Sequence, residues 1–297
     1  MELLFTGGSG FLGQSIIPLL KKNFTVTSVG IGTSDNVQVD LSQKVPVLSG
    51  KYNVVLHAAG KAHVVPQNLK ESYSFFAINT QGTKNLCKAL EENPPKAFIF
   101  ISTVAVYGVE SGTGIDENHS LNGDTPYAQS KMEAESFLTQ WCQKHKVKLS
   151  ILRPSLIAGK NPPGNLGALV HGIKTGKYLR IGKGSARKSA LMAEDIARLV
   201  PKLIEKGGTY NLCDNRHPSF FELEELIVQQ LGKKSPIAIP LWLAKLLAKT
   251  GDLLGSKAPI NSAKLEKIIQ PLTFSNEKAK RELGWEPLDV LSNFKIS

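Results

Sequence analysis

Thr6-Gly7-Gly8-Ser9-Gly10-Phe11-Leu12-Gly13 lies between a short apolar run, Leu3-Leu4-Phe5, and an amphipathic segment, Ser15-Ile16-Ile17-Pro18-Leu19-Leu20. A strand that feeds a glycine-rich turn opening a helix is the context in which such a turn holds phosphate. Glycine tolerates backbone angles that a Cβ forbids. Bare backbone lets N–H groups approach a pyrophosphate, with the positive end of the following helix behind them. Gly13 then allows close packing of helix on strand. Gly7, Gly10, Phe11, Leu12 and Gly13 are therefore candidate contacts to a dinucleotide. An ordinary strand–helix turn would carry similar glycines, so the decision rests on the remainder of the chain.

Strand and helix patterns alternate through the first two-thirds, which predicts an α/β fold with a doubly wound, Rossmann-type parallel sheet. Strands are expected near Leu3–Phe5, Thr25–Val29, Val37–Val39, Val54–His57, Ala97–Ser102, Leu149–Arg153 and Thr209–Leu212. Helices are expected near Gly10–Lys22, Leu69–Glu92 (irregular at its start), Tyr127–Lys146 and Glu194–Glu205. After Pro162-Pro163-Gly164 the chain to about Lys188 is rich in Gly and Lys with little periodicity. Helical patterns return over Phe220–Leu231, Pro240–Lys249, Ala263–Ile269 and Asn276–Leu283. The division expected is a dinucleotide-binding domain over 1–160, completed by the strand near 209–213, and a smaller, mainly helical substrate lobe over 161–297 that interleaves with the sheet.

Composition narrows the function. The chain has 297 residues, 41% hydrophobic and 21% charged, as an ordinary globular protein has. No apolar run reaches the roughly 20 residues that span a bilayer, and no leader is evident, so a cytoplasmic protein without stable membrane insertion is expected. Cys87, Cys142 and Cys213 are odd in number and far apart, giving neither a disulfide framework nor metal spacing. The net charge of +11 is lopsided. Residues 1–150 hold 13 Lys and Arg against 12 Asp and Glu, and every arginine lies at Arg153 or beyond. A basic second half suits an anionic, phosphate-bearing ligand; nucleic acid is not expected, because no aromatic-interleaved basic patch or DNA-reading motif is present. Trp242-Leu243-Ala244-Lys245-Leu246-Leu247 fits either an interfacial helix or the roof of a core, and the roof is the commoner use.

Tyr127 and Lys131 stand four apart, on one face of a helix. An ammonium beside a phenol favours the phenolate, which is expected to lower the tyrosine toward working pH. Such a tyrosine exchanges a proton with an oxygen that alternates between alcohol and carbonyl. Upstream, Ile101-Ser102-Thr103-Val104-Ala105-Val106-Tyr107-Gly108 ends a strand in hydroxyls. Together these motifs resemble the extended short-chain dehydrogenase/reductases, within them the nucleotide-sugar epimerase/dehydratase group. His57-Ala58-Ala59-Gly60, Asn79 to Thr83, Leu152-Arg153-Pro154, Tyr210-Asn211-Leu212 and Leu283-Gly284-Trp285 extend the likeness nearly end to end.

The resemblance implies roles. Thr103, Tyr127 and Lys131 would be catalytic, with Tyr127 and Lys131 also touching the cofactor; Asp40, Leu41, Ala58, Ala59 and Gly60 would line the dinucleotide; His63, Thr103 and Arg187 or Lys188 would meet a nucleotide-diphosphate sugar. No metal is implied, and a homodimer is compatible with it. NAD-preferring members end the second strand in an acid that bonds the adenosine 2′-hydroxyl. Gly30 fills that slot, which leaves NADP as well as NAD open. Dehydratases of the group carry Asp-Glu after the triad Thr, where Val104-Ala105 stand, so dehydration is not expected. The activity implied is oxidoreduction at C4 of a nucleotide-linked sugar, as 4-epimerase or 4-keto-reductase, of the kind found in surface-polysaccharide pathways. The rival is a non-catalytic dinucleotide sensor or assembly subunit on the same fold; it has no use for an intact Tyr127–Lys131 pair.

Overall fold

The computed structural model describes residues 1–253 and 260–296. Its centre is a seven-stranded parallel sheet of β1 (Glu2–Thr6), β2 (Thr25–Gly30), β3 (Val37–Gln38), β4 (Val54–His57), β5 (Ala97–Ile101), β6 (Lys148–Pro154) and β7 (Gly208–Leu212), in the order β7-β6-β5-β4-β1-β2-β3. Strands buried on both faces of a parallel sheet are nearly continuous in apolar residues, and β5, Ala-Phe-Ile-Phe-Ile, is buried throughout. Alternation then sorts side chains between the two faces. Leu3, Phe5, Val54, Leu56, Ile99 and Ile101 meet Ile16 and Leu20 of α1 (Phe11–Leu20) on one side. Leu4, Val55, Phe98 and Phe100 meet the helices of the other.

That second layer begins with α2 (Leu69–Phe75), a π-helical turn at Phe76–Gln81 and α3 (Gly82–Ala89), which run on without a break. The expected irregularity therefore sits in the middle of this helix. α4 (Pro126–His145) lies beside it; Thr125 accepts a hydrogen bond from the Ala128 N–H at 3.2 Å and Pro126 opens the helix, while Lys146 closes it in the left-handed region. A side-chain acceptor and a proline at the first turn are strong start signals.

The stretch after Pro163, expected to be irregular, contains α5 (Gly164–Lys174). Leu166, Leu169 and Ile173 recur at helical spacing and are buried, but Gly167 and Gly172 dilute the pattern in the sequence. α6 (Ala193–Lys206) returns to the sheet and packs with α1. α7 (Phe220–Leu231) starts with a capping box between Ser219 and Glu222 and buries Leu223 and Ile227 against α5. α8 (Leu241–Asp252) and α9 (Ser262–Ile269) form a separate small cluster. α10 (Glu277–Leu283) and α11 (Val290–Asn293) follow.

α8 does not roof a core in the expected way. Its inward residues are Ala244, Ala248 and Gly251, and Trp242 points out. The three cysteines are free and buried. Among the described residues no helix is long and apolar enough to cross a membrane.

Candidate active site

The loop after β1 is drawn tight. Gly7 has φ +82°, and a Cβ on it would stand 2.9 Å from the Ala59 backbone. A Cβ on Gly13 would stand 2.5 Å from the Gly7 carbonyl oxygen and 2.4 Å from that of Gly8. These contacts bring the loop, the start of α1 and the exit of β4 together as a bare backbone cradle. Ala58 donates its N–H to the Thr6 carbonyl at 3.2 Å, and Ala59 donates to Thr6 Oγ1 at 3.1 Å. His57 links Thr6 Oγ1 (2.5 Å) to Thr83 Oγ1 (2.8 Å). Burial, reinforced by the Lys131 charge, pushes its imidazole down to about 3, so it stays neutral. Phe11 lies beside Gly159 in the first turn of α1 with Leu12. Leu41 is buried, whereas Asp40 is exposed and accepts from the Ser42 N–H at 2.9 Å and hydroxyl at 2.7 Å.

An acid does lie against the Gly30 slot, contributed by the turn that follows it. The turn after β2 folds back and buries Asp35, which is 7% exposed. Its Oδ2 accepts the Gly32 N–H at 3.1 Å, and a Cβ on Gly30 would lie 2.4 Å from that oxygen. Its Oδ1 would lie 2.3 Å from a Cβ on Gly8, is buried, and has no hydrogen-bond partner among the described residues. A buried polar oxygen without a partner is costly unless something fills it. A glycine cradle beside an orphaned carboxyl oxygen fits the pyrophosphate and adenosine ribose of a nicotinamide dinucleotide. Thr33 and Ser34, on the same turn, are exposed. A sequence reader could have found Asp35 only by asking which acid reaches a glycine five residues behind it.

Farther along the sheet edge, α4 presents Tyr127, Lys131 and Glu135 at successive turns. Thr103, buried, caps the short 3₁₀ turn Val104–Tyr107 by accepting the Ala105 N–H at 3.1 Å. Burial raises the Tyr127 phenol above its ordinary value, and the hydrogen bond with Thr103 pulls it the other way. The expected lowering by Lys131 is not the controlling effect. Lys131 instead donates to the Ile101 carbonyl at 2.8 Å and lies over the Phe100 ring at 4.6 Å. Burial lowers its ammonium to about 8, against the pull of Glu135. A Cβ on Gly60 would stand 3.2 Å from Lys131 Nζ, so the β4 exit and the lysine share one corner. Asn79, on the π-helical turn, fixes that corner: it accepts the Lys61 N–H at 2.7 Å and donates to Ser130 Oγ at 2.9 Å. π-turns inside α-helices are frequent at functional sites.

Ser102 turns away from this edge. Its hydroxyl donates to Glu135, which pairs with Arg153 through Nη2 at 2.7 Å and Nε at 3.2 Å. Arg153 Nη1 donates to the Tyr107 hydroxyl at 3.1 Å, which donates to Asn211 Oδ1 at 2.7 Å. This buried chain of polar groups ties α4 to β6 and β7, and leaves Thr103 as the hydroxyl beside Tyr127.

Of the residues expected on the substrate side, His63 adopts φ +61° and packs on Gly164, joining the β4 exit to α5. Arg187 and Lys188 follow each other on an extended segment and differ in use. Arg187 is exposed and donates to the His217 carbonyl at 2.9 Å and Glu222 at 3.4 Å. Lys188 is partly buried, burial lowers its ammonium, and no ion pair engages it among the described residues.

Residues 3–213 match the sequence model of the NAD-dependent epimerase/dehydratase family. The chain is 29% identical to the N-acetyl-α-D-glucosaminyl-diphospho-ditrans,octacis-undecaprenol 4-epimerase of Escherichia coli O157:H7, covering 93% of this chain and 88% of that protein. It is 26% identical to a UDP-glucose 4-epimerase of Vibrio cholerae, covering 98% and 92%. The structure of UDP-glucose 4-epimerase from Thermotoga maritima with UDP-glucose superposes with a TM-score of 0.76 at 20% identity, over 99% of this chain and 96% of that one. The match spans the glycine cradle, the Thr103–Tyr127–Lys131 edge and the seventh strand, and the chain belongs to the NAD-dependent epimerase/dehydratase family.

Proposed function

We propose that the protein interconverts epimers at C4 of a sugar carried on a diphosphate, using NAD. The observation that carries this reading is the convergence of Thr103, Tyr127 and Lys131 on the sheet edge that also holds Gly60 and the glycine cradle. Bound there, a nicotinamide dinucleotide would supply the site that holds the hydride between the two half-reactions. Gly7, Gly10 and Gly13 seat its pyrophosphate at the start of α1, with Phe11 and Leu12 in the first turn. Asp35 bonds the adenosine ribose and its charge disfavours a 2′-phosphate, which selects NAD over NADP. Asp40 and Leu41 flank the adenine, and Ala58, Ala59 and Gly60 line the path to the nicotinamide. Residues 1–160 and β7 form this dinucleotide unit, and most of 161–297 receives the sugar.

Once its own proton has passed to solvent, the Tyr127 phenolate accepts the proton of the 4-hydroxyl as that carbon becomes a ketone, and as the phenol returns it after the ring has presented its other face. A phenol kept protonated by burial needs help to act as a base. Thr103 supplies a hydrogen bond to the same oxygen, and Lys131, held at the Ile101 carbonyl beside Gly60, would supply positive charge near the phenolate. Lys188, partly buried and unpaired, meets the substrate diphosphate; Arg187 is committed to the start of α7. His63 borders the sugar pocket. Val104 and Ala105 offer no carboxyl for eliminating water, which sets dehydration aside.

The test is incubation with NAD and a panel of nucleotide-diphosphate and polyprenyl-diphosphate sugars, with products identified by NMR. A mixture of C4 epimers without net accumulation of reduced dinucleotide is expected. Tyr127→Phe should lower turnover by about 10²–10⁴-fold with the fold retained. Stoichiometric oxidation or reduction of dinucleotide with a single sugar product would replace the epimerase reading by a reductase one.

A further inference from the structure

Helix α8 has its large apolar residues on the outside. Ala244 and Ala248 are buried with Leu265 of α9, and Gly251 shares that face. On the opposite side Trp242, Leu246, Lys249 and Leu253 recur at i, i+4, i+7 and i+11, which at about 100° per residue forms one stripe. Trp242 is 68% exposed, Leu246 55% and Leu253 89%. A second exposed apolar pair lies on the parallel strand pair that leads into the helix. Ala238 pairs with Arg180, so Ile237 and Leu179 lie side by side one position earlier, both exposed. An exposed apolar stripe of this kind on a helix marks an interaction site.

The charge around it is predominantly positive, although Asp252 ends the helix and Glu266 is exposed on α9. No Asp or Glu lies between Glu135 and Glu194, or between Glu225 and Asp252. Lys177, Lys183, Lys233, Lys234, Lys245 and Lys249 are all exposed in those stretches. A second copy of this chain seated on the patch by two-fold symmetry would bring lysine against lysine. An anionic lipid surface does the reverse: it attracts juxtaposed lysines, accepts leucine side chains below the headgroups and suits tryptophan at headgroup level.

We propose that α8, with the Leu179–Ile237 edge, seats the protein on the surface of an anionic bilayer, parallel to its plane. The segment from Arg180–Ile181 runs on directly to Lys188, so this seat belongs to the part of the chain proposed to hold the substrate diphosphate. A sugar diphosphate borne on a membrane lipid would be reached without leaving the bilayer. The seat itself is measured without turnover and stands apart from the C4 reading.

The test is co-sedimentation with phosphatidylglycerol/phosphatidylcholine vesicles and with phosphatidylcholine alone. Trp242 reports insertion, because Trp141 and Trp285 are buried. Anionic vesicles should sediment the protein and shift Trp242 emission to the blue, and added salt should weaken both. Trp242→Ser/Leu246→Ser should lower the partition coefficient at least about tenfold, while NAD affinity stays unchanged and shows the fold intact. Wild-type protein left in the supernatant, or equal sedimentation of the double variant, would overturn the proposal. So would a dimer in solution that the double variant abolishes, which would assign the stripe to a second copy.

Discussion

Asp35→Asn removes one charge and keeps the shape of the turn after β2. In the wild type the carboxyl lies against Gly8 and Gly30, with Oδ2 held by the Gly32 N–H and Oδ1 buried without a partner. A ribose hydroxyl donated to Oδ1 forms a hydrogen bond to a charged group, worth about 1.5–3 kcal/mol. A 2′-phosphate at that point would place negative charges near 4 Å apart, a repulsion of about 4 kcal/mol at an effective dielectric near 20. The asparagine loses part of the first term and most of the second. The ratio of NAD to NADP affinity should therefore move toward NADP by about 2–4 kcal/mol, roughly 30- to 1000-fold. Calorimetric titration of each dinucleotide into each protein measures the ratio directly. An unchanged ratio in a folded variant would refute the placement of Asp35 at the ribose. Gly30→Asp, the substitution that the linear sequence suggests for favouring NAD, should instead destabilise the turn, because its Cβ would lie 2.4 Å from the Asp35 carboxyl.

Burial lowers Lys131 from 10.5 to about 8, so between those values the folded protein has lost a proton that the unfolded chain keeps. Stability should therefore rise with pH across that window, and urea titrations of Lys131→Met should lack up to ~3 kcal/mol of the increment seen in the wild type. Arg153→Met leaves Glu135 buried and uncompensated and should cost about 3–5 kcal/mol, much of it recovered in Arg153→Met/Glu135→Leu; equal losses in both variants would mean that packing, not charge, dominates. For free nucleoside diphosphate, Lys188→Met should weaken binding by about 1.5–3 kcal/mol. Arg187→Met should change it by less than about 1 kcal/mol, as for an exposed pair, and calorimetry that reverses this order would move the diphosphate to the other side of the segment.

The sheet was legible because a parallel sheet buried on both faces writes itself as short, nearly uninterrupted apolar runs: Val54–His57 has the expected ends, and the other strands differ by a residue or so. The cradle and the Tyr127–Lys131 pair were legible because their spacing is local. What escaped depends on folding back. Asp35 folds back against the end of β2 from five residues beyond it, and Arg187 and Lys188 are told apart only by the partners at and just before the start of α7. The direction of the Tyr127 shift escaped as well, since spacing placed Lys131 near the phenol but not its ammonium on the Ile101 carbonyl. α5 was lost to its glycines, and the outward face of α8 could not be told from an inward one without knowing where α9 lies.

The π-helical turn at Phe76–Gln81 sets the phase of everything wound onto it. An added residue rotates a helix by about 100°, so the turn lets Phe75 face the Tyr127 ring while Asn79 reaches Lys61 and Ser130. The corner beside Lys131 thus depends on a count of residues as well as on their identities. Deleting one position there would keep every side chain that touches the site and turn half of them away from it, so this segment tolerates replacement more readily than a change of length.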